Sequence, residues 1–147
     1  MSYERIENPI PQGKYVSATR AGNFIFTAGM TSREKGVLLF EGKVKTTVPI
    51  ETYRDVVNQA TLNALTAARN ILKDNEIFER VLSITVFINS EEDFIFHSKL
   101  ADFASELLLR EIGEAGIGSR AAIGVSSLPE NAPVEIQMVL YVSITKN

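Results

Sequence analysis

The 147-residue chain contains no cysteine, which removes disulfides, thiolate nucleophiles and cysteine-based metal centres together. Histidine is nearly as scarce: His97 stands alone, so a multi-histidine zinc site is excluded and no local motif supports a Ser-His-Asp triad. No apolar run reaches the roughly 18 residues that a membrane span needs, and the opening Met1 to Pro9 shows no basic start followed by an apolar stretch. A cytoplasmic protein without membrane contact is therefore expected. Positive charge is in slight deficit, 15 Lys plus Arg against 18 Asp plus Glu, and no basic cluster tracks a phosphate backbone, which argues against nucleic acid as a partner.

What is present is the profile of one compact domain spanning residues 1–147, 45% hydrophobic and 22% charged, with no repeat or linker. Tyr15 to Arg20 and Asn23 to Ala28 read as a hairpin around Gly22, and Val37 to Phe40 as a third strand. From Ile50 to Lys73 apolar residues recur at three- and four-residue steps, predicting a helix that starts near Thr47 and Pro49. The β-branched run Val81 to Ile88 predicts a central strand with Leu82, Ile84, Val86 and Ile88 on one face. A second helix is predicted over Glu92 to Ile112, with Glu91, Glu92 and Asp93 favoured at its N-terminus by the macrodipole. Gly113, Gly116 and Gly118 lack the context of a phosphate loop and read as a connection. The expected fold is α+β, a six-stranded mixed sheet with two helices on one face in the order βββαβαββ.

The segment from Arg120 to Gln137 places two charges on apolar strands. Val134, Ile136, Met138, Leu140 and Val142 alternate with Glu135, Gln137, Val139, Tyr141 and Ser143, so Glu135 points away from the core. In the preceding strand Ala121, Ile123 and Val125 form the apolar set, with Arg120, Ala122 and Gly124 opposite. Paired as a hairpin, these strands would put Arg120 and Glu135 on one sheet face, where ionised groups need a partner or a ligand. Phe24 to Phe26, Phe87, Val139 and Tyr141 make the second sheet face partly apolar, and no element remains to cover it. A symmetric homo-oligomer that buries this face is the simplest expectation.

The chain resembles the RidA/YjgF family of enamine and imine deaminases over nearly its whole length. The resemblance is carried by Gly13-Lys-Tyr15, the stretch Gly22 to Gly29, the stretch Val86 to Phe94, Arg120-Ala-Ala-Ile-Gly-Val125, Leu128-Pro129 and Val134-Glu135-Ile136. Asn63-Ala-Leu65, Ser105 to Leu108 and Gly113 to Gly116 are similar to a divergent branch. The resemblance implies a chorismate-mutase-like fold and a homotrimer with clefts between subunits. It also implies a small-molecule carboxylate substrate held by Arg120, a water positioned by Glu135, closure of the cleft by Tyr15, and a pocket lined by the backbone of Gly29. No cofactor and no metal are implied. Three positions depart from the family pattern: Ala28 stands where serine is usual, Ala122 where cysteine is frequent, and Ser98 where asparagine is common.

The implied reaction is hydrolysis of a 2-imino acid or its enamine tautomer to a 2-oxo acid and ammonia. Two rivals remain open: a non-catalytic trimer that captures a 2-oxo acid, and a deaminase of a larger aminated dienoate in a pocket enlarged by Ala28 and Ala122. For single residues the alternatives also stand. Arg120 and Glu135 could form only a structural ion pair, Tyr15 could be an ordinary strand aromatic, and His97 reads as a surface or interface histidine. Endoribonuclease activity fits the acidic chain poorly, and chorismate rearrangement rests on fold analogy alone.

Overall fold

A computed structural model describes residues 6–145. In chain order the elements are β1 (Ala18–Ala21), β2 (Phe24–Thr27), β3 (Arg33–Glu34), β4 (Val37–Leu38), α1 (Arg54–Arg69), β5 (Glu76–Asn89), α2 (His97–Ile112), β6 (Ser119–Val125) and β7 (Val134–Ile144), with single 3-10 turns before α1, after α2 and before β7. The main sheet has five strands in the order β1-β2-β7-β5-β6, antiparallel except for the parallel pair β5 and β6. Among the described residues no helix is long and apolar enough to cross a membrane.

The α+β class and the two helices match expectation, whereas the sixth strand does not join the sheet. Lys35 and Gly36 both take left-handed φ values, 51° and 81°, which turns the chain back after two residues in the manner of a tight hairpin. Val37–Leu38 therefore pairs with Arg33–Glu34 as a separate two-stranded ribbon. Asn63 of α1 fastens the ribbon by donating from Nδ2 to the carbonyls of Thr31 and Arg33.

The helices bury their apolar stripes on one face of the sheet. Val57, Ala60, Ala64, Leu65 and Ala68 of α1 meet Leu100, Ala104 and Leu108 of α2 and the even-numbered residues Val134 to Val142 of β7, all at 0–1% exposure. The second helix starts five residues later than predicted. Glu91 N donates to the Val44 carbonyl, Asp93 accepts from the Thr46 hydroxyl, and Phe94 is buried, so the acidic run is tied to the preceding loop and the helix begins at His97. In β5 the predicted alternation fails at Leu82, which is exposed while Val81 is buried. Register shifts between Phe78 and Arg80 and between Val81 and Ser83 rotate that part of the strand.

The largest correction concerns Arg120 and Glu135. Strands β6 and β7 do not pair; β5 lies between them, because α2 carries the chain across from β5 to a parallel neighbour. One transverse row runs Arg120–Ile84–Met138 and another runs Ile123–Phe87–Glu135. Ile84 and Met138 belong to the helix-covered core, so Arg120 faces α2, whereas Glu135 lies on the open face. That open face carries Phe24, Phe26 and Ile123, each 44–45% exposed, with Phe24 edge-on to Tyr141, so the expected apolar second face is present and uncovered in the single chain.

Candidate functional site

The predicted site residues fall into two clusters on opposite sides of the sheet. The first lies in a cleft of about 610 Å³ on the open face, lined by Tyr15, Val16, Thr19, Phe26, Thr27, Ala28, Gly29, Pro129, Glu135 and Gln137. Glu135 is the sole charged group of that lining. It is half-buried, has no hydrogen-bond or ionic partner among the described residues, and burial pushes its carboxyl above the ordinary carboxylate range.

Its place beside Gly29 is built by the backbone. Met30 and Ile136 exchange both N–H···O bonds at 2.8 Å, which extends the β2–β7 pairing past Thr27 and lays Gly29 next to Glu135. A Cβ on Gly29 would lie 2.6 Å from Glu135 Oε2 and 2.9 Å from its carboxyl carbon, so only glycine admits the carboxylate there. Tyr15 stands at the rim, nearly half exposed, its hydroxyl accepting from Gln12 N at 2.9 Å.

The second cluster joins Arg120, Ser98 and Ala122 at the sheet edge formed by β6. Arg120 Nη1 donates to Asp102 Oδ1 and Ser105 Oγ, both at 2.9 Å, and Nη2 donates to the carbonyl and hydroxyl of Ser98 at 3.2 and 3.0 Å. The Arg120 side chain is 19% exposed and the Asp102 side chain 56%, so this is a partly open pair anchored by two hydroxyls. Ala122 packs against the core.

Tyr15, Ala28, Gly29 and Glu135 are thus brought together, as are Ser98, Ala122 and Arg120, but the two groups are not brought together within one chain. Sequence reasoning missed Asp102 and Ser105, although Ser98, Asp102 and Ser105 follow the i, i+4, i+7 spacing of one helix face. The pocket walls Thr19, Phe26, Gln137 and Pro129 were also missed, because three come from neighbouring strands, and Pro129 from the 3-10 turn before β7, whose meeting no local pattern reveals. Among the described residues no three of His, Asp or Glu converge to hold a metal ion.

The sequence profile described as Endoribonuclease L-PSP matches residues 5–142. A RutC family protein of Pyrococcus horikoshii is 30% identical over 134 residues, 90% of each chain. Protein TCP17 of Trypanosoma cruzi is 27% identical over 131 residues, 88% of this chain and 82% of its own. Among solved structures, a protein of unknown function from Agrobacterium tumefaciens superposes with a TM-score of 0.80 at 29% identity, over 92% of this chain and 87% of that one. The YjgF gene product of Escherichia coli shares the fold, with a TM-score of 0.66 at 20% identity over 91% and 92%. With the profile matched almost end to end, the chain belongs to the RidA/YjgF family.

Proposed function

We propose that the protein hydrolyses 2-imino acids, or their enamine tautomers, to 2-oxo acids and ammonia, at sites completed between copies of a homotrimer. The observation that carries this reading is the division of the site: an unpaired carboxyl in an open-face cleft and a guanidinium at the sheet edge, each incomplete alone. A substrate too small to span the sheet meets both only if Arg120 of one copy faces Glu135 of another. The uncovered apolar face around Phe24, Phe26 and Ile123 supports such an assembly.

In this arrangement Arg120 holds the substrate carboxylate and Glu135 takes a proton from a water whose oxygen adds to the imine carbon. The C=N π electrons move to nitrogen, which is protonated. Collapse of the tetrahedral carbinolamine then forms C=O and releases ammonia, with Glu135 shuttling the proton. The nuclease description of the family profile fits this cleft less well. Its lining contains no lysine, arginine or histidine to meet a phosphodiester, and its one charge is negative.

The test generates 2-iminobutanoate in situ and follows imine loss. Wild type accelerates it, whereas Arg120→Ala and Glu135→Gln do not. Co-refolding the two variants in equal amounts restores up to roughly a quarter of wild-type turnover, because each mixed trimer regains one intact site. No acceleration by wild type sinks the reading, and no recovery on mixing sinks its intersubunit part. A non-catalytic 2-oxo acid receptor is the second reading. It is favoured by Ala28, which lines the cleft with no side-chain hydrogen-bonding group to help orient a water. Calorimetric binding of 2-oxobutanoate without imine turnover selects it.

A further inference from the structure

Near the Arg120 cluster lies a polar pair that neither half of the site uses. A Cβ built on Gly124 would lie 2.8 Å from His97 Nε2 and 3.2 Å from Ser90 Oγ. Two polar atoms, one from the first residue of α2 and one from the residue after β5, therefore converge on the space that this glycine leaves. Neither side chain has a hydrogen-bond partner among the described residues, and both are half-buried. The imidazole is held edge-on against the Phe94 ring, with centroids 5.2 Å apart, so its direction is set by packing.

The Arg120 guanidinium reaches the same end of α2. Arg120 Nη2 bonds the carbonyl and hydroxyl of Ser98, the residue next to His97, and adjacent Cα atoms are about 3.8 Å apart. Arg120, Ala122 and Gly124 lie on one side of β6, and between the guanidinium and the imidazole that strand presents only a methyl group and a hydrogen. A ligand anchored by its carboxylate on Arg120 would extend past Ala122 toward His97 and Ser90.

We propose that His97 and Ser90 read the far end of the substrate side chain, and that the preferred substrates are short 2-imino acids ending in a carbonyl oxygen, as carboxylate or carboxamide. This rests on the reading of Arg120 as the carboxylate anchor. His97 donates from Nε2 and Ser90 from its hydroxyl to that oxygen, a pairing an aliphatic side chain leaves unmade. A site built to hydrogen-bond a substrate group discriminates against analogues that lack it, because its own polar atoms are then left unpaired.

The experiment compares kcat/KM for 2-iminosuccinate, 2-iminosuccinamate and 2-iminobutanoate, each produced in situ from the matching amino acid by an oxidase. Wild type prefers at least one polar imine over 2-iminobutanoate. The ratio of the two falls about tenfold in His97→Val, recovers partly in His97→Gln, and falls in Gly124→Ala, whose methyl displaces the imidazole. Preference for both polar imines identifies the carbonyl as the feature read, and preference for 2-iminosuccinate alone identifies the charge. If imines are hydrolysed but the ratio is at or below unity, or unchanged in a folded His97→Val, this inference is overturned while the proposed function stands. If wild type accelerates none of the three, both fall.

Discussion

Replacing Gly29 with alanine separates what Glu135 does from how stable the protein is. The added Cβ would stand 2.6 Å from Oε2 and 2.9 Å from Cδ of Glu135. Comfortable contact begins near ~3.4 Å, so the carboxyl has to retreat by about 0.8 Å. The backbone tolerates alanine, because Gly29 is not among the glycines with positive φ. The atoms struck are the far end of a flexible side chain in an open cleft, so relief needs only a strained χ angle, about 0.5–1.5 kcal/mol. The lower entropy of the unfolded chain offsets about 0.4–1 kcal/mol of that. Net stability thus stays within about 1 kcal/mol of wild type, a shift of a few degrees in Tm. Imine hydrolysis responds much more strongly, since displacing a catalytic group by about 1 Å costs on the order of 100-fold. Thermal denaturation and imine-loss kinetics on one preparation give both numbers. A folded Gly29→Ala protein within threefold of wild-type kcat/KM would refute the role given to Glu135, and a protein that fails to fold would refute the claim that the clash is cheap.

Glu135→Gln is expected to abolish turnover and to raise the Tm of the dissociated chain at neutral pH: burial lifts the Glu135 pKa, so the native state pays for ionisation as pH rises through it, and the stability gain disappears in acid where glutamate is already protonated. In the dissociated wild-type chain, Glu135 should titrate with a midpoint above the ordinary carboxylate range by carbon-13 chemical shift, and a midpoint at or below that range would contradict the desolvation argument. The bidentate Arg20–Glu76 pair, both bonds at 2.6 Å, holds the Glu76 carboxyl down at about 2 and ties the hairpin to the start of β5. Arg20→Ala should cost about 2 kcal/mol at pH 7. Because the Glu76 pKa is depressed from 4.5, that difference should be lost as pH falls from 4.5 toward 2 in denaturant titrations. Asp102→Ala frees one Arg120 donor from a partly exposed pair worth about 0.2–1 kcal/mol, so 2-oxobutanoate should bind up to about fivefold tighter by calorimetry, and weaker binding would show that Asp102 orients the guanidinium rather than competing for it.

Local pattern carried much of the fold. The alternation in β7 names five core residues and the outward direction of Glu135 correctly, and the three- and four-residue spacing finds both helices, because these signals arise within one element. What escaped depends on partners distant in the chain. The alternation puts Leu82 on the face of Ile84, Val86 and Ile88 because no residue type announces the bulges of β5. Adjacency in sequence suggests a hairpin with Arg120 on the face of Glu135, whereas the crossover through α2 inserts β5 between the two strands. The family landmarks point to Arg120 and Glu135 whichever face each occupies, since they name positions rather than faces. Asp102 and Ser105 lay in plain helical register with Ser98 and were passed over because a polar helix face is more often solvated than engaged.

The sheet acts as an insulating wall between the two charges. With Arg120 on the helix side and Glu135 on the open side, burial accounts for the raised carboxyl of the lone chain, and no cation among the described residues answers it. Assembly of the proposed kind would bring a foreign guanidinium to that carboxyl and pull its titration down. The midpoint of Glu135, followed by carbon-13 chemical shift during dilution, would then serve as a gauge of how many copies have found each other.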